Sequence, residues 1–223
     1  MNIFQVSLVS LHVEMIDRII QAGSETFFKY GIRSVPLDQL ASELGISKKT
    51  IYQHFKDKDE LVMAIVKCSM DAERARADEC YANSKNPIHE IIQASELMNE
   101  VMININPTLL VDLEKYHPKA WKVFSESKSD FLVDIERNLN DGIAQGLYRP
   151  DLNISILSRM RLESVEMGLN QDFFPARSFN VTEVNRAFLD HFIRGIVTEK
   201  GLKLYESYKS DKEGELGNQV FNK

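Results

Sequence analysis

From Ile16 to Val66 the apolar residues recur three and four positions apart, and no stretch of the chain alternates apolar with polar for long enough to make a sheet. Ile16, Ile19, Ile20, Gly23, Phe27 and Tyr30 share one face of a first helix, and Gly31 stands where a terminating glycine belongs. Pro36 is expected at the first position of a second helix. Leu37, Leu40, Ala41 and Leu44 form its stripe, and Gly45 ends it. Ser47 offers an N-cap hydroxyl to a third helix running to about Phe55. Asp57 or Lys58 then opens a long fourth helix with Leu61, Val62, Ile65, Val66 and Met70 on one side.

The rest of the chain continues the pattern. Gly is 10 and Pro is 6 in 223 residues, which favours long helices over a turn-rich β protein. Helices are expected at 88–105, 107–116, 119–146, 153–170 and 181–198, with Leu202–Tyr208 a candidate for a last one. The fold class is therefore all-α, with about nine helices. Residues 1–14 read as an irregular leader, 15–70 as a helix-turn-helix domain, 71–209 as a larger helical domain and 210–223 as a frayed tail. The boundary falls on the fourth helix, and the break at Asn83–Pro87 is a turn within the second domain.

Composition removes whole classes. Apolar residues make up 43% and charged residues 27%, an ordinary balance for a globular chain. The longest apolar run, Leu61 to Val66, is six residues, whereas a membrane span needs about 20. No Lys or Arg precedes Arg18, unlike a secretory signal, so a cytoplasmic address is expected. Cys68 and Cys80 have no nearby His pair and read as small buried hydrophobes. No metal and no cofactor are expected. There is no Gly-rich phosphate loop, no His-Glu-x-x-His and no nucleophile elbow, so catalysis finds no support.

The net charge of −6 is unfavourable for a nucleic-acid binder, but its distribution matters more. Residues 1–70 balance at zero, and 45–58 carry Lys48, Lys49, Lys56 and Lys58 against Asp57 alone. That segment, LDQLASELGISKKTIYQHFKDKDEL (Leu37–Leu61), is two short helices about a glycine turn. A short helix fits the major groove of B-DNA and points free N–H groups at phosphate. Ser47, Lys48, Lys49 and Thr50 lie on its first turn, with Tyr52 and His54 in reach of backbone oxygens. Lys58 is placed to clamp a flanking phosphate.

Residues 15–65 resemble the DNA-binding domain of TetR-family (tetracycline-repressor-like) regulators. The resemblance rests on Phe27 and Gly31, on Leu40 and Ala41, on Gly45, Ile46, Ser47, Tyr52, His54 and Phe55, and on Lys58, Glu60 and Leu61. It departs from the family pattern at Val35, where a capping Thr is usual, with Ser34 as a candidate substitute. It departs again at Gly23, usually Ala, and at Thr26, usually apolar. The resemblance implies that Lys48, Lys49 and Thr50 face base edges, with Gln53 another candidate for base contact. It implies that Ser47, Tyr52, His54 and Lys58 hold phosphates.

It also implies double-stranded DNA and a second copy of the chain as partners, with a small-molecule effector of unknown identity and no membrane. A homodimer would place two recognition helices about one turn of DNA apart on a palindrome. Ile156, Leu157, Phe188, Leu189, Phe192, Ile193 and Ile196 are candidates for the dimer face, with intramolecular core the equal alternative. Met98, Met102, Tyr116, Trp121, Phe124, Phe131, Met160, Glu163 and Met167 are candidates for an effector pocket, with intramolecular core the commoner reading of each aromatic and Met. Arg159, Arg161, Glu163 and Glu166 are charges set within an otherwise apolar helix, expected on a solvated face unless one turns to a pocket. The expected function is a ligand-responsive repressor. The alternative is a helical small-molecule or partner-binding module that has lost DNA binding.

Overall fold

The computed structural model describes the backbone of residues 3–220 and the side chains of residues 13–210. Among the described residues there are ten helices: α1 (Ile3–Tyr30), α2 (Leu37–Leu44), α3 (Lys48–His54), α4 (Lys58–Asn83), α5 (Pro87–Asn104), α6 (Leu109–Tyr116), α7 (Pro118–Ala144), α8 (Ile154–Met167), α9 (Val181–Ile196) and α10 (Glu199–Val220). The only β feature among them is a single antiparallel bridge, Tyr148 with Val197. No helix among the described residues is long and apolar enough to cross a membrane.

Both ends correct the expected domain plan. Residues 3–14, expected as an irregular leader, form the first part of α1. The final helix, expected to stop near Tyr208, continues to Val220. The chain packs as two compact units. The first comprises Met1–Ala75 and Asn104–Lys128; the second comprises Arg76–Ile103 and Ser129–Lys223. Thus α6 and the start of α7, expected in the second domain, belong with the first unit.

The first unit closes on Ile19, Phe27, Ile32, Val35, Leu40, Ile51, Leu61 and Ile65, all buried. Its departures from the family pattern have local causes. A Cβ added to Gly23 would stand 2.6 Å from Ile65 Cδ1, so the glycine makes room for the α4 side chain. Thr26 donates to the Ala22 carbonyl at 2.6 Å and lies 3.0 Å from a Glu43 carboxylate oxygen, which satisfies its buried hydroxyl. Val35 is buried core, and Pro36 sits at the N-cap of α2, one place before the expected first position. No side chain caps α2, so Ser34 does not replace the missing threonine.

Residues 104–128 are held to this unit by polar contacts as well as by Leu109, Leu113 and Ala120. The Asn106 N–H donates to the Phe28 carbonyl at 2.6 Å. The Asp112 carboxylate, buried, accepts the Arg33 N–H at 3.2 Å. The Arg33 guanidinium lies 4.4 Å over the Tyr116 ring and donates to its hydroxyl. His117 Nδ1 meets an Asp59 carboxylate oxygen at 2.8 Å.

The second unit is built around Ile88, Leu139, Tyr148, Ile193 and Ile196. Tyr148 donates to Asn138, Asn138 donates to Glu90, and Glu90 takes Arg137 at 2.6 Å, so this buried polar chain is closed. Gly142 is required by the ring: an added Cβ would stand 2.0 Å from a Tyr148 ring carbon. Neither the helix backbone nor a fully buried tyrosine yields that distance cheaply. Gly142→Ala is expected to destabilise the protein by about 3 kcal/mol, the scale of core overpacking. Urea unfolding checks it, and a change below about 1 kcal/mol would mean the ring has another seat.

Between α9 and α10, Asp190 accepts hydrogen bonds from Lys209, Arg194 and Tyr205. Burial alone would raise its pKa, but these three donors hold it down at about 2. Its contribution to stability is present above the unfolded value of 3.8 and is lost as pH falls through about 2. Wild-type protein is therefore expected to lose more stability than Asp190→Asn between about pH 4 and pH 2. Equal slopes for the two proteins in acid denaturation would refute this.

Candidate DNA-binding interface

The turn between α2 and α3 is fixed by local chemistry. Gly45 adopts φ +67°, a conformation that costs other residues, and the Ile46 N–H donates to the Ala41 carbonyl at 3.0 Å. Ser47 is extended and accepts the Thr50 N–H on its Oγ at 3.1 Å. Its hydroxyl also lies 2.9 Å from the Thr50 hydroxyl. That closure sets the first turn of α3. Ile51 and Phe55 are buried, so the inner side of α3 is committed to the core.

The outer side follows from the same periodicity. Ser47, Lys48, Lys49, Tyr52 and Gln53 are exposed, while Thr50 and His54 are half-buried. Tyr52 keeps 47% of its surface in solvent, unusual for an aromatic residue three positions from the buried Phe55. Lys48 does not stand free: its Nζ meets the Asp38 carboxylate, on the first turn of α2, at 2.7 Å. The hydrogen bond to Asp38 is the main reason its pKa is raised.

Lys58 corrects the expectation of a phosphate clamp. Its Nζ donates to the Ile32 carbonyl at 2.6 Å and to the Val35 carbonyl at 2.7 Å. It also lies 5.2 Å over the Phe27 ring. Burial lowers its pKa. The ammonium fastens the α1–α2 turn to the start of α4. The sequence gives no sign of this, because both acceptors are backbone atoms more than 20 residues away.

The effector-pocket candidates divide. Tyr116, Trp121 and Phe124 lie in the first unit, Tyr116 against Arg33 and the other two stacked at 5.4 Å on the first core. This corrects their expected place in the second domain. Met160 and Met167 are 49% and 42% exposed, and Glu163 is exposed, so they sit on the outer side of α8. Met98, Met102 and Phe131 remain in the second unit, Met102 buried and the others half-buried.

The dimer-face candidates divide too. Leu189, Phe192, Ile193 and Ile196 are buried in the second core, so the alternative of intramolecular packing holds for these four. Leu157 packs partly on the same core, and Phe188 is half-buried with its ring 5.5 Å from Phe174. Ile156 is 62% exposed. The stripe on α9 faces inward because its neighbours are α5, α7 and the Tyr148 segment, which hydropathy alone does not reveal. Cys80 is buried as expected, but Cys68 is exposed.

The comparisons agree with this geometry. Residues 19–65 match the family described as bacterial regulatory proteins, tetR family. The chain is 25% identical to the HTH-type transcriptional regulator YvaF of Bacillus subtilis over 186 residues, covering 83% of this chain and 97% of YvaF. It is 20% identical to the HTH-type transcriptional repressor KstR2 of Mycobacterium tuberculosis, covering 81% and 92%. A transcriptional regulator from Saccharomonospora viridis, solved in complex with choline, superposes with a TM-score of 0.72 at 19% identity, over 84% of this chain and all (100%) of that one. A TetR-family regulator from Agrobacterium tumefaciens does so with 0.72 at 16%, with the same coverage of 84% and 100%. Residues 19–65 thus form a helix-turn-helix segment of the tetR-family type, and over most of its length the chain is similar to HTH-type transcriptional regulators and shares their all-helical fold.

Proposed function

We propose that the chain is a homodimeric repressor that binds a short palindromic operator and releases it on binding a small-molecule effector. The observation that carries the reading is the outer side of α3, where Ser47, Lys48, Lys49, Tyr52 and Gln53 are solvent-facing while Ile51 anchors the helix. Lys48, Lys49 and Gln53, with Thr50, supply donors for base edges. Ser47, Tyr52 and His54 supply contacts to phosphate. Lys48 exchanges Asp38 for DNA on docking. The net charge of −6 keeps non-specific binding weak, so affinity depends on this local patch.

For the dimer face, the exposed residues Ile156, Met160 and Met167 of α8 form the apolar part of the patch. This moves the proposed interface from the α9 stripe to the outer side of α8, with Leu157 and Phe188 at its margin. That KstR2 relatives are named repressors supports repression. Effector control finds support in α6, whose Asp112 holds the turn that Lys58 also holds. A shift of α6 would thus reach the element that seats α2 and α3. Such a protein works beside the chromosome, in the cytoplasm.

The test is selection from a randomised duplex pool by the purified protein, followed by titration of the winner against salt. An enriched palindrome is expected, with log affinity falling by roughly 0.9 for each phosphate neutralised per decade of salt. No enrichment even at low salt, with protein folded and dimeric, would favour the module that has lost DNA binding.

A further inference from the structure

The second unit contains an arginine unlike the others. Arg161 of α8 is only 9% exposed. Arg137 pairs with Glu90, Arg194 with Asp190 and Glu206, and Arg76 with Glu100. Among the described residues the Arg161 guanidinium has no carboxylate partner. Its Nη2 donates to Ser95 Oγ of α5 at 2.7 Å, and its Nη1 donates to Ser164 Oγ at 3.2 Å. Both hydroxyls donate their own protons to backbone, Ser95 to the Ile91 carbonyl and Ser164 to the Arg161 carbonyl. They serve the guanidinium as neutral acceptors and bring no charge. Loss of hydration pushes its pKa down to about 10, where the group is still cationic at neutral pH.

A buried cation without a counter-ion is expensive, and folded proteins do not keep one without cause. The surroundings indicate the cause. One turn along α5 from Ser95 lies Asn99, buried, with its Oδ1 making no hydrogen bond. Met102 is buried on the same stripe, and Met98 is half-buried beside it. The stripe therefore runs from a fixed guanidinium, through an amide without a partner for its oxygen, to adaptable apolar side chains. A guanidinium with three of its five N–H groups still to place matches a carboxylate with two parallel hydrogen bonds.

We infer that Arg161 is the recognition group for the carboxylate of the effector, an amphipathic organic acid whose apolar body lies along Met98 and Met102. The inference rests on the proposed control by a small-molecule effector and places that effector in the second unit, where Arg161, Met98 and Met102 lie. It deepens that reading by naming the ligand's charge and the residue that takes it.

The test uses the full-length protein without DNA. Hexanoate, octanoate, decanoate, benzoate and phenylacetate are titrated by calorimetry beside their primary amides. At least one acid is expected to bind, with its amide about ten- to a hundredfold weaker, the scale of a charge-assisted pair. Arg161→Met, of similar length and no charge, is expected to erase that difference. It is also expected to melt above wild type in the absence of ligand, because it removes a buried charge that nothing compensates. Arg161→Lys keeps the charge, loses the fork and is expected to bind the acid at least tenfold more weakly than wild type.

Three results would overturn the inference. Acids and amides binding alike would do so, as would no acid binding at all. So would an Arg161→Met protein that melts well below wild type, for then the guanidinium is structural; Arg161→Gln repeats that measurement should the Met variant fail to fold. Failure of the regulator reading is separable. Protein that takes the acid but enriches no DNA keeps this site and loses the operator, and the converse result keeps the operator and loses the site.

Discussion

Lys58→Met is expected to lower the free energy of unfolding by about 2–4 kcal/mol while leaving the salt dependence of operator binding unchanged. The Ile32 and Val35 carbonyls both take their hydrogen bond from this ammonium, at 2.6 and 2.7 Å, and both residues are 1% exposed. Methionine keeps the apolar stem against Phe27 and removes the donor. Each buried carbonyl left without a partner costs about 1–3 kcal/mol, partly relieved if water enters. The folded fraction still presents the outer side of α3. A phosphate contact predicts the opposite pattern: little effect on stability and a salt slope smaller by roughly 0.9. Urea unfolding and a salt titration of the same variant decide between them. A stable variant with a reduced slope would restore Lys58 to the DNA surface.

The division between what was legible and what was not follows the range of the deciding contact. Gly45, Ser47 and Ile51 could be read in advance because their roles are settled within four residues: a left-handed turn, an N-cap and an i, i+4 stripe. The outer side of α3 is the complement of that stripe, so its candidates came with it. The bonds of Lys58 are not legible in the sequence because its acceptors are carbonyls of residues 32 and 35, and every residue type carries a carbonyl.

The place of α6 was misread for a related reason. Asp112 reaches Arg33 across 79 positions, and the apolar residues Leu109 and Leu113 fit either core equally well by hydropathy. The stripe Leu189, Phe192, Ile193 and Ile196 announces burial but not the partner, and the partner is the chain's own second core. Arg161 stood out as a charge in an apolar helix, yet the absence of a counter-ion is a property of the space around it.

Lys49→Ala with Tyr52→Ala is expected to weaken operator binding by about 2–4 kcal/mol, some 30- to 800-fold, while leaving stability within about 1 kcal/mol of wild type. The two side chains are exposed, and neither makes a hydrogen bond or ion pair with another described residue. Folding gains little from either, so their positions on α3 are free to serve DNA. Loss of the Lys49 charge is expected to reduce the salt slope by roughly 0.9, whereas loss of the Tyr52 hydroxyl leaves the slope almost unchanged. The two single variants therefore separate charge from hydrogen bonding on one helix. Lys48→Ala differs again. It removes a cation and also releases Asp38, which lies beside it at 2.7 Å and then faces the phosphates without a partner. Its loss of affinity is expected to exceed that of Lys49→Ala, and Asp38→Asn in the same chain is expected to recover part of it. If the double variant binds the selected palindrome as tightly as wild type, the outer side of α3 is not the reading surface, and the contact must be sought on another element.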